Sequence, residues 1–72
     1  MTLTVEIEKS ASSGEWVAEV LELPGCMAVE RTKSRALAKV EALAFRILAD
    51  RLGHGEAKAD EMTVSFVRRA AA

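Results

Sequence analysis

From Thr2 to Glu8 apolar and polar residues alternate, with Leu3, Val5 and Ile7 on one side and Thr4, Glu6 and Glu8 on the other. Successive side chains of a strand point to opposite faces, so this spacing predicts a half-buried first strand. The polar run Ser10-Ala11-Ser12-Ser13-Gly14 suits a hairpin loop into a second, antiparallel strand from Glu15 to Leu23. There Trp16, Ala18 and Val20 share one face, while Val17, Leu21 and Leu23 share the other. Both faces are partly apolar. A single helix covers one face of a sheet, which leaves the second face for a partner chain.

Pro24-Gly25 breaks this strand, and Cys26 to Glu30 reads as a short third one with Met27 and Val29 pointing the same way. At Thr32 the period becomes helical: Ala36, Leu37, Val40, Leu43, Ala44, Ile47 and Leu48 recur at three and four. Thr32 is the expected N-cap and Gly53 the expected stop. Residues 53 to 60 read as a mobile connection. A last strand is expected where Met62, Val64 and Phe66 alternate with Thr63, Ser65 and Val67, followed by a frayed tail from Arg68. The order is β-β-β-α-β: an α+β domain with an antiparallel sheet of three to four strands and one helix packed on one face.

With 72 residues there is room for one core and no second domain. Scaffolds of this size balance burial against ordering closely, and they commonly gain stability by cross-linking or association. Cys26 is the only cysteine, so an internal disulfide is excluded and a homo-oligomer, dimer or tetramer, is expected. A lone thiol without a signal-peptide pattern fits the cytoplasm. No run of about 20 apolar residues suggests a membrane span.

The net charge of −1 argues against a general nucleic-acid binder, but it conceals a division. Residues 1 to 30 carry six glutamates against Lys9 alone, a balance of −5. Residues 31 to 52 carry six cations against Glu41 and Asp50, a balance of +4.

The run Trp16-Val17-Ala18-Glu19-Val20-Leu21-Glu22-Leu23-Pro24-Gly25-Cys26, followed by Thr32 and then Ala36-Leu37, resembles the HicB antitoxin family. That family's pattern is close to W-x-A-x-V-P-E-L-P-G-C, about six residues, then T-x-x-E-A-L. Leu21 stands here in place of proline, Glu30-Arg31 in place of a Gly-Asp turn, and Ser34-Arg35 in place of an acidic pair. The resemblance implies a partial ribonuclease-H-like fold and a small, basic, mRNA-cleaving HicA-like toxin as partner, inhibited by occlusion. Many chains of that family continue into a DNA-binding domain, and none is expected here after the last strand. A stand-alone oligomeric binding module is the alternative.

Glu6, Glu8, Trp16, Val17, Glu19, Leu21 and Leu23 are the residues expected to meet a partner. The aromatic and apolar ones would supply contact area, and the acids would attract a basic surface. Trp16 also reads, with more weight, as a core or sheet-face residue packing near the helix. No catalytic, cofactor-binding or metal-binding residue is expected. Cys26 has no base beside it in sequence and reads as a small buried hydrophobe, and His54 is a lone histidine between two glycines. The glutamates lack the accompanying aspartates of a carboxylate metal site. Arg35, Lys39 and Arg46 fall within one helical arc and form a basic ridge, read as a solvated face rather than a phosphate track.

Overall fold

The computed structural model describes residues 1–55 and 63–71. Strand β1 (Thr2–Lys9) buries Leu3, Val5 and Ile7, as its alternation requires. The loop after it closes through Ser10 N–H to the Glu15 carbonyl (2.7 Å) and Gly14 N–H to the Ser10 carbonyl (2.8 Å). Gly14 has φ +73°, a left-handed conformation that glycine adopts without steric cost. Strand β2 (Trp16–Val20) returns antiparallel to β1, and β3 (Met27–Glu30) runs antiparallel to β2.

The second strand is shorter than expected. Its ladder ends at Val20 because Leu21 to Gly25 turn back on themselves: Leu23 N–H donates to the Val20 carbonyl (3.2 Å) and Cys26 N–H to the Leu23 carbonyl (3.0 Å). Gly25, at φ +81°, completes the reversal. Leu23 is thereby folded into the core, 2% exposed, instead of standing on a strand face.

Glu22 replaces the missing strand. Thr4 N–H donates to its Oε1 and the Thr4 hydroxyl to its Oε2, each at 2.7 Å, while Leu21 N–H donates to the Thr4 carbonyl. These bonds, the backbone one first, hold the Glu22 carboxyl below its ordinary value of 4.5. A depressed folded value means a contribution to stability that is complete above about pH 4.5 and is lost as pH falls through that lower value. Glu22→Gln is expected to cost about 1 kcal/mol at neutral pH, the discounted worth of an exposed charge-assisted pair of bonds. In urea titrations at pH 7 and pH 3, the difference between the two proteins should shrink at the lower pH.

Helix α1 (Lys33–Gly53) starts at Thr32, whose hydroxyl accepts from Arg35 N–H (3.2 Å). It runs through Gly53 and closes at His54, and the left-handed residue falls at Gly55 (φ +73°), two positions later than expected. The connection after it lies, from residue 56, outside the described residues, as does Met62.

Strand β4 (Ser65–Ala70) lies beside β1 and parallel to it, giving the order β3-β2-β1-β4. The sheet is thus mixed, not antiparallel throughout. Because β3 runs in the direction of β1 and α1 carries the chain back, the strand after the helix runs that way again. Arg68 to Ala70, expected to fray, belong to this strand, and Ala71 N–H extends the pairing to the Ile7 carbonyl (3.1 Å).

Helix α1 covers one face, chiefly over β2 and β3. Ala36, Leu37, Val40, Ala44 and Leu48 meet Leu3, Val5, Ile7, Ala18, Val20 and Ala28 in one core. Alanines at 18 and 28 let the helix sit close over those strands. No described helix is long and apolar enough to cross a membrane.

Candidate functional site: the open face of the sheet

The parity that buries Leu3, Val5 and Ile7 turns Thr4, Glu6 and Glu8 to the opposite, uncovered face. Strand registers place the neighbours. Glu6 pairs with Glu19 and Arg69, and Glu19 with Met27, giving a row of Arg69, Glu6, Glu19 and Met27 across four strands. The next row is Glu8, Val17 and Val29. Val17, Met27 and Val29 therefore form an apolar patch at the β2–β3 side of the open face, with Met27 and Val29 about half exposed. Val67 adds an exposed apolar residue on β4, paired with Thr4.

The charges around this patch are unequal. Arg69 Nη2 lies 3.0 Å from Glu6 Oε2 and neutralises that carboxylate. Glu8 and Glu19 have no ion-pair partner among the described residues. The patch is bordered by two free negative charges, the pattern that attracts a surface both apolar and basic.

Of the residues expected to meet a partner, Glu6, Glu8, Val17 and Glu19 come together here. Leu21 is exposed just past the end of β2. Leu23 is in the core, and Trp16 points to the helix side, half-buried, with Lys33 Nζ 5.8 Å from its ring centre. There Trp16 lines a groove of about 420 Å³ with Ile7, Leu37, Arg68 and Arg69. Met27 and Val29, absent from the expected set, complete the open-face patch; the alternation of Cys26 to Glu30 was the available signal.

The basic ridge is largely occupied within the chain. Glu30, at the end of β3, receives Lys39 Nζ at 3.0 Å and lies 3.6 Å from Arg35 Nε. The Lys39 hydrogen bond is the main cause that lowers the Glu30 carboxyl. Arg31 just before the cap and Lys33 and Arg35 in the first turn set three cations near the positive end of the helix dipole. Glu30 offsets that unfavourable placement from the adjacent strand.

Cys26 is fully buried, its thiol donates to the Val40 carbonyl (3.6 Å), and desolvation pushes its pKa up. Such a thiol is poorly nucleophilic. His54 is exposed and lies against the Asp50 carbonyl and carboxylate at the helix end. Among the described residues no cluster of three or more potential ligands could hold a metal ion. No protein family, curated protein or solved structure matches the chain.

Proposed function

We propose that this domain is a HicB-like antitoxin, which binds a small, basic, HicA-like mRNA-cleaving toxin through the open sheet face and covers its active surface. The observation that carries this reading is the uncovered patch of Val17, Met27 and Val29 bordered by Glu8 and Glu19. The Trp16 to Cys26 motif supports it, because each of its parts has a task in presenting that face. Ala18 and Val20 bury the far side of β2, Glu22 closes the strand against Thr4, and Leu23 to Cys26 reverse the chain into β3.

Occlusion needs affinity and no chemistry. Desolvation of the apolar patch supplies much of that affinity, and the carboxylates raise the association rate and reject acidic surfaces. A free thiol and an mRNA-cleaving partner agree with a cytoplasmic setting.

The test is co-expression with a small basic protein encoded beside this chain. Expression of that protein alone should arrest growth, and co-expression should restore it and yield a co-purifying complex. Growth arrest unrelieved by the domain, with no complex, would overturn the reading and leave the stand-alone oligomeric module.

A further inference from the structure

We infer that the outer face of α1 is the contact between two copies of this chain, with their helices side by side and parallel. Besides the stripe that enters the core, α1 carries a second apolar stripe: Ala38, Ala42, Phe45, Ala49 and Leu52, spaced four, three, four and three. All five are exposed, Phe45 by 53% and Leu52 by 37%. Alternate spacings of three and four are the seam of a helix pair, and this seam extends over about 21 Å of helix. Single alanines on a helix surface need no partner, since alanine is the best helix former. Here, however, Phe45 and Leu52 fall in line with them: Phe45 meets Phe66 of β4 edge-on, ring centres 5.5 Å apart, yet keeps about half of its surface open, and every charged residue of α1 lies outside the line.

The flanking charges select the occupant and its direction. Lys39 and Arg46 border the seam on one side and Glu41 on the other. In a parallel pair, a residue on the Glu41 flank meets the partner residue five positions later on the opposite flank. Glu41 of each copy then faces Arg46 of the other, twice by symmetry. An antiparallel pair would set the Lys39 and Arg46 flanks against each other. Arg46 has no ion-pair partner among the described residues. Glu41 receives Arg68 at 3.0 Å, yet its carboxylate keeps some exposure and spare acceptor capacity.

This surface lies on the helix side of the sheet, where Phe45 and Glu41 also reach β4 through Phe66 and Arg68, and the open face points the other way, so the dimer leaves both partner-binding faces free and the inference stands apart from the antitoxin reading. One seam of this length is smaller than the ~1,200–2,000 Å² of a stable standard interface, so the dimer is weak and concentration-dependent.

Sedimentation of the full chain over roughly 10 µM to 1 mM should pass from mostly monomer to mostly dimer, as a contact with a dissociation constant of about 100 µM requires. Ala42→Glu and Ala49→Glu should weaken the dimer at least about tenfold, the effect of ~1.4 kcal/mol, with unchanged circular dichroism. Ala38→Cys and Ala49→Cys should each form a disulfide with their own copy under oxidation, whereas wild type, with Cys26 buried, should not. Glu19→Lys on the sheet face should leave dimerisation unchanged. A monomer at every concentration, a dimer indifferent to both glutamates, or a dimer in which neither cysteine variant cross-links would overturn the proposal.

Discussion

Leu48→Ala is expected to lower stability by about 3 kcal/mol and to bring the domain close to its unfolding midpoint. Leu48 is 1% exposed and sits where the last turns of α1 meet the sheet. Truncating such a leucine removes its transfer free energy and leaves a cavity, a loss of about 2–5 kcal/mol. A chain of 72 residues has a total stability of only about 4–11 kcal/mol, and a core this small belongs toward the lower end. Each kcal/mol corresponds to about 4–8 °C in a domain of this size, so the melting temperature should fall by roughly 12–24 °C. Leu52→Ala, one turn later and 37% exposed, should cost less than about 1 kcal/mol in dilute solution. Thermal melts of the two variants would contradict the assigned core if they shifted equally.

The second large effect is on binding. Glu19→Lys combined with Val29→Lys should weaken the complex with a basic partner by at least 100-fold, about 2.7 kcal/mol. Glu19 is exposed in the centre of the open face, and its reversal puts a cation where the partner brings its own. Val29 is 45% exposed on the edge strand β3, so lysine there removes apolar contact area while leaving the fold intact. Titration calorimetry measures the loss. Ala42→Glu, on the far side of the domain, should bind the partner as wild type does, and an equal loss in that variant would place the interface elsewhere.

Much of this arrangement was legible in the sequence because hydrophobic period reports burial directly. The alternation of Thr2 to Glu8 located β1, and the spacing from Ala36 to Leu48 located α1 with its Thr32 cap. Period does not report where a strand ends when apolar residues continue into a turn. Leu21 and Leu23 read as strand, yet the Pro24-Gly25 reversal and the Glu22–Thr4 bonds end the ladder at Val20 and send Leu23 inward. Strand direction was hidden for another reason: the parallel pairing of β4 with β1 follows from the return path of the helix, which is a tertiary fact.

Charge was legible only as a sum over segments. The acidic first part and basic helix suggested two separate surfaces, but Glu30 joins them by pairing with Arg35 and Lys39. Likewise Arg69, read as tail, neutralises Glu6 across the sheet. Among the described residues the acids left without an ion pair on the open face are therefore Glu8 and Glu19, a smaller set than the sequence offered.

The most direct test of the open-face interface is an amide-resonance titration of the isotope-labelled domain with the co-purifying basic protein. Shifts concentrated at Glu6, Glu8, Val17, Glu19, Met27 and Val29, with α1 from Ala38 to Leu52 unmoved, are the predicted result. Shifts confined to the helix, with the open face unchanged, would contradict it.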